Sequence, residues 1–213
     1  MDSYRAELAS AFTRTSLPLS KPIVVHTVAG AGKTTFIRRL IRHAPFPTAI
    51  TGGTPDPPHI SGQRITAPPG PANIVDEYPL VDWAGADVIF ADPLQHRGPT
   101  LPAHYTSSIT HRFGRATCEL LSKFGITAES NKEDEVFFGW AFADDPEGAV
   151  ICLDAEAQSL ASWNGLEHLK PCEALGATFP VVTVISGTPL EEADAVDRYI
   201  ALTRHTRLLR ILL

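Results

Sequence analysis

Apolar positions along the chain change period several times, and each change marks an element. Tyr4, Leu8 and Phe12 recur at helical spacing ahead of Pro18, which predicts a short amphipathic N-terminal helix packing on the elements after it. The run Ile23-Val24-Val25-His26-Thr27-Val28 is β-rich and enters Ala29-Gly30-Ala31-Gly32. From Lys33 to His43, Phe36, Ile37, Leu40 and Ile41 then fall on one helical face until Pro45 and Pro47. The reading is strand, glycine turn, helix.

Between Pro45 and Pro71 proline, glycine and threonine crowd the chain, predicting irregular loops around at most short strands, with Ile50, Ile60 and Ile65 as apolar anchors. Two short apolar runs come next, Asn73-Ile74-Val75 ending in Asp76-Glu77 and Ala86 to Phe90 ending in Asp92. Such runs suit parallel strands whose C-terminal ends carry polar site residues. Past His111, a helix is predicted over Phe113 to Phe124, and the acidic stretch with Glu129, Glu133, Asp134 and Glu135 reads as a solvated loop. Strands are predicted at Ala149 to Leu153, Pro180 to Ile185 and Leu208 to Leu213, with a helix from Glu191 to Leu202. Both halves alternate strand and helix, so the fold class is α/β with two parallel-sheet domains and a boundary near Thr106 to Thr110.

The 213 residues are 44% hydrophobic, enough for a real core, and the net charge of -6 gives no bulk attraction to nucleic acid. Any RNA contact has to come from local clusters: Arg38, Arg39 and Arg42 on the first long helix, or Arg207 and Arg210 near the C-terminus. A solvated basic face is the competing reading of both. Cys118, Cys152 and Cys172 lack C-x-x-C spacing and read as reduced, core-filling thiols, while His26, His59 and His96 show no metal-ligand spacing and read as structural or surface side chains. With neither an apolar leader nor an apolar run long enough to span a bilayer, the expectation is an unsecreted protein without direct membrane insertion.

Gly30-Ala31-Gly32-Lys33-Thr34-Thr35 joins a strand to a helix, the context in which backbone N–H groups and the positive helix terminus cradle phosphates. Lys33 is expected to reach the β and γ phosphates, Thr34 to offer its hydroxyl to Mg²⁺ and Thr35 to extend the anion-binding turn. The full phosphate-loop pattern asks for glycine where Thr27 stands. Asp76 fits the Mg²⁺ shell and Glu77 the residue that polarises the attacking water, which makes ATP and Mg²⁺ the expected cofactors.

Further motifs carry a family resemblance. Phe90-Ala91-Asp92-Pro93-Leu94-Gln95 resembles superfamily 1 helicase motif III, with alanine in place of the usual glycine, and implies that Gln95 senses the γ-phosphate. Thr110 to Gly114 resembles motif IV and Tyr199 to Thr206 motif VI, implying that Arg112 and Arg204 reach the phosphates from the second domain. Gly176 to Val184 is similar to motif V, although Leu175 stands where many members have glutamine. Together with Thr51-Gly52-Gly53-Thr54-Pro55-Asp56-Pro57-Pro58, these strings resemble the first triple-gene-block movement proteins of potexviruses and carlaviruses.

That resemblance, covering about residues 21 to 213, implies a P-loop NTPase of two RecA-like domains, 21–108 and 109–213, after a helical extension at 1–20, with the nucleotide in the cleft between them. It further implies binding of single-stranded viral RNA, transport of that RNA through plasmodesmata, and suppression of RNA silencing. Other viral movement proteins, coat protein and host silencing factors are the implied partners, with homo-oligomers, in the host cytoplasm. Lacking room for accessory domains, the monomer is expected to unwind RNA weakly at best. Two rivals stand beside this reading. One is a binding module that keeps the fold while hydrolysis is dispensable; the other is a GTPase, suggested by the N-K-x-D string Asn131-Lys132-Glu133-Asp134.

Overall fold

The computed structural model describes residues 2–43, 48–70 and 72–213. Pro45 and Pro47, expected to stop a helix, and Pro71 lie outside the described residues. The chain divides into two compact units, Met1–Ser108 and Ile109–Leu213.

In the first unit the elements are α1 (Asp2–Ala11), β1 (Thr13–Arg14), β2 (Ile23–Thr27), α2 (Lys33–His43), β3 (Ala49–Thr51), β4 (Ile65–Thr66), β5 (Ile74–Asp76), β6 (Val88–Ala91) and β7 (Tyr105–Ser107). The seven strands are ordered β1-β7-β2-β6-β5-β3-β4. All neighbours run parallel except β1 with β7.

Alternate residues of a strand face opposite sides of the sheet, and here both sides are buried. Ile23, Val25, Ile74, Val88 and Phe90 pack with Phe36, Ile37, Leu40 and Ile41 of α2 and with Tyr4, Leu8 and Phe12. Val24, Val75, Ile89 and Ala91 pack on the reverse side with Ile50, Tyr78 and Ala86. That is why these strands read as continuous apolar runs. The N-terminal segment is part of the unit, since Phe12 meets Phe36 edge to face at 4.8 Å between ring centroids and β1 extends the sheet. Of the three expected loop anchors, Ile50 and Ile65 are buried in β3 and β4, whereas Ile60 is fully exposed beside the left-handed Gly62 turn and anchors nothing.

The second unit comprises α3 (Arg115–Ser122), β8 (Glu135–Gly139), β9 (Ala149–Cys152), α4 (Ala155–Trp163), β10 (Phe179–Ile185), α5 (Ala195–Leu202) and β11 (His205–Leu212). Its four strands are all parallel in the order β8-β11-β10-β9. The last helix starts four residues later than its apolar pattern suggests because Asp194 caps it, accepting from the N–H groups of Val196 and Asp197 at 3.0 Å each.

The acidic stretch is only in part the solvated loop expected of it: Glu129 and Glu133 are exposed outside any strand or helix. Glu135 opens β8, and the Asp134 side chain is wholly buried. One Asp134 oxygen accepts from the N–H groups of Ala116 and Thr117 at the start of α3, and the other meets the Thr117 hydroxyl at 2.6 Å and His205 Nε2 at 3.0 Å. Cys118 and Cys152 are buried as expected; Cys172 is exposed on a 3₁₀ turn and fills no core. No described helix is long and apolar enough to cross a membrane.

Candidate nucleotide-binding site

The β2 strand ends at Thr27, and the chain turns into α2 through Gly30 and Gly32, both left-handed at φ 77° and 81°. Glycine is the residue that adopts this conformation without steric cost. The turn is tied by Ala31 N–H to the Val28 carbonyl at 3.3 Å and by Phe36 N–H to the Gly32 carbonyl at 2.8 Å, and the first turn of α2 contains no acidic residue. An N-terminus of this kind, with backbone N–H groups lacking helical partners, favours an anion. Thr27, in the place of a glycine, has its hydroxyl oxygen buried without a hydrogen-bond partner among the described residues.

β5 brings Asp76 to the same place. Lys33 Nζ lies 2.8 Å from Asp76 Oδ1 and also donates to Glu77 Oε1, and Thr34 Oγ1 sits 3.4 Å from Asp76 Oδ2. Burial alone would lower the Lys33 pKa, but the charges of Asp76 and Glu77 outweigh it and hold the ammonium above its ordinary value. Burial and the Glu77 charge push Asp76 up. For Glu77, burial acts upward, yet the Lys33 charge and a hydrogen bond from His96 bring it down to about 2.

Glu77 stands at φ 52°, the only left-handed non-glycine among the described residues. Two contacts frame it. Gly52 N–H donates to the Asp76 carbonyl at 3.0 Å, and a Cβ on Gly52 would lie 2.6 Å from Leu80 Cβ and 3.0 Å from the Glu77 carbonyl oxygen. His96 Nε2 lies 2.8 Å from Glu77 Oε2. Spacing gives no hint of His96, because positions 19 residues apart become adjacent here only when β5 and β6 pair. Its neighbour Gln95 donates to Asp92 Oδ2 at 2.6 Å, and Asp92 Oδ1 accepts from Leu94 N–H at 3.1 Å.

The second unit brings Arg112 and Arg204 together. Arg112 donates to the Thr203 carbonyl at 3.1 Å; Arg204, buried, donates to Thr203 Oγ1 at 3.0 Å and to the Ile200 carbonyl at 3.1 Å. Both expected basic clusters are largely ion-paired. Arg38 is bonded to Asp56 and Arg39 lies 3.7 Å from Glu7, while Arg207 and Arg210 lie 4.0 and 3.8 Å from Glu147. In the N-K-x-D string, the four donors on Asp134 fill the lone-pair sites of a carboxylate, which leaves none for a guanine base.

A phosphate loop on a parallel sheet, with a lysine and an acidic pair at its mouth, defines a P-loop protein of the NTPase and helicase type. Residues 23–213 match the family model of the viral superfamily 1 RNA helicase core domain. The movement and silencing protein TGBp1 of Lily virus X is 49% identical over 208 residues, 96% of either chain, and that of Papaya mosaic potexvirus is 41% identical over 96% of this chain and 91% of its own. The chain belongs to the viral superfamily 1 RNA helicase core family and, within it, to the TGBp1 movement and silencing proteins. Among solved structures, the arterivirus nonstructural protein 10 helicase in complex with DNA shares the fold with a TM-score of 0.65 at 20% identity, over 90% of this chain. The present chain spans 60% of that helicase chain.

Proposed function

We propose that this protein is a Mg²⁺-dependent ATPase that binds single-stranded viral RNA and serves in its passage between cells and in suppression of silencing. The observation that supports it most is the convergence of Lys33, Thr34, Asp76 and Glu77 at the phosphate loop. Hard oxygen donors from a hydroxyl and a carboxylate suit Mg²⁺, and the two left-handed glycines suit a phosphate chain approaching backbone N–H groups. Thr34 and Asp76 would hold the ion, which when bound neutralises charge developing on the phosphates. Gly30, Ala31, Gly32 and Thr35 line the anion cradle, Lys33 neutralises the β and γ phosphates, and Glu77 accepts a proton from the attacking water. Gln95 reports the γ-phosphate, and Arg112 and Arg204 supply further positive charge to the transition state.

In the cell, the same reading places the protein in the host cytoplasm and at plasmodesmata, with other viral movement proteins, coat protein, host silencing factors and further copies of itself as partners. The test is RNA-stimulated ATP turnover by wild type and Lys33→Ala side by side. Loss of turnover in a folded variant is expected; wild-type turnover by that variant overturns the assignment.

A further inference from the structure

β8 is an edge strand: it pairs with β11, and no described strand covers its other side. Edge strands leave a row of backbone donors and acceptors open, and proteins ordinarily blunt them with charge or proline. This one carries a single charged residue, Glu135, and leads into an aromatic run, with Phe138 52%, Trp140 73% and Phe142 87% exposed. Exposed aromatics this close together mark interaction sites.

Hydrogen bonds order the backbone of the turn that follows β8. Trp140 N–H donates to Asp144 Oδ2 at 2.9 Å, and the Trp140 carbonyl accepts from the N–H groups of Ala143 and Asp144. A Cβ on Gly139 would lie 2.5 Å from Asp144 Oδ2, so glycine is what lets this turn close against the strand end. A backbone ordered in advance loses little entropy when a further strand docks on it.

Charge decides what docks. From Glu133 to Gly148 the sequence has no lysine or arginine, and Glu133, Glu135, Asp145 and Glu147 are exposed. Arg115 pairs with Glu133 at 3.1 Å, while Arg207 and Arg210 approach Glu147, with Arg210 lying over the Phe137 ring. Those arginines offset Glu133 and Glu147, which leaves Glu135 and Asp145, one on either side of the rings in sequence, as exposed carboxylates without an ion pair among the described residues. Two such carboxylates favour a basic partner over nucleic-acid phosphates, and a two-fold pairing of β8 with itself would set like charges against each other.

We propose that the open edge of β8, with Phe138, Trp140 and Phe142, is a docking site for an extended segment of another protein that alternates apolar with lysine or arginine residues, added to the sheet as a further strand. Main-chain hydrogen bonds supply affinity, the rings receive the apolar side chains, and Glu135 and Asp145 select the basic ones.

The probe is a blocked, fluorescein-labelled octapeptide alternating valine and lysine, with a valine–glutamate octapeptide as control, monitored by anisotropy on the full chain. The basic peptide should bind at least about tenfold more tightly than the acidic one, a difference of about 1.4 kcal/mol. Phe138→Ser with Trp140→Ser should weaken it by about tenfold or more at unchanged circular dichroism. Should that pair misfold, Glu135→Lys with Asp145→Lys should reverse the preference between peptides. The proposal is overturned by absence of binding, by equal binding of both peptides, by substitutions at the rings or carboxylates that leave binding unchanged, by sedimentation in which the ring substitutions dissolve a self-association, or by their loss of oligouridylate binding instead.

Discussion

His96 Nε2 stands 2.8 Å from Glu77 Oε2, while the other Glu77 oxygen is bonded to Lys33. The carboxylate proposed to activate water is thus held from two sides, by the phosphate-loop lysine and by the residue next to Gln95. If Lys33 turns to phosphates, His96 keeps Glu77 aimed. His96→Ala is expected to lower kcat by on the order of tenfold to a hundredfold, the usual cost of misplacing a reacting group. KM should change little, and His96→Gln, which retains a donor, should recover part of the loss. A His96→Ala enzyme with wild-type kcat would remove His96 from this role.

Gly52 packs against the backbone of the same residue. Its missing Cβ leaves room for Leu80 Cβ and the Glu77 carbonyl at 2.6 and 3.0 Å from where the atom would be. Gly52→Ala forces the backbone at Glu77 aside and should cost about 1–3 kcal/mol of stability by overpacking. Its turnover should fall further than its melting temperature alone explains, measured well below the unfolding transition.

Thr27 offers a stability test at the same loop. Its hydroxyl oxygen is buried without a hydrogen-bond partner among the described residues, and burying such a group costs about 1–3 kcal/mol. Thr27→Val preserves the shape and removes the cost, so urea unfolding without nucleotide should show equal or greater stability than wild type. Marked destabilisation would mean that the hydroxyl has a partner in solution.

The Asp134 carboxyl carries a pH signature. Burial acts to raise its pKa, but the hydrogen bonds from His205 and Thr117 bring it down to about 2, below the ordinary aspartate value near ~3.9. A folded-state value below the unfolded one stabilises the protein in full above about pH 4 and loses that contribution as pH falls toward about 2. The contribution is about 2 kcal/mol, and the side chain's complete burial leaves little solvent screening. Denaturation at successive pH values should show wild type losing this increment across that window, while Asp134→Asn, already weaker at neutral pH, loses less.

What the sequence disclosed, and what it withheld, depends on how far apart the cooperating residues lie. The phosphate loop was legible because strand, glycines, lysine and helix are contiguous, and the strands of the first sheet because both faces are buried. Helix α4 escaped notice because its buried face is made of Ala157 and Ala161, too small to stand out as an apolar stripe. β8 escaped because adjacent Phe137 and Phe138 at an open edge break the alternation that marks a half-buried strand. Asp134 looked like one more solvated acid because its partners Thr117 and His205 are 17 and 71 residues away. The ion pairs of Arg38 with Asp56 and of Arg210 with Glu147 were hidden for the same reason.

Arg112 and Arg204 share Thr203, one through the carbonyl and the other through the hydroxyl. Two guanidiniums moored to one residue are not independent levers: displacing either disturbs the seat of its neighbour. Their replacement should therefore be strongly non-additive in a double-mutant cycle, and Thr203→Val, which carries no charge and needs no ligand contact, should slow turnover as though an arginine had been weakened.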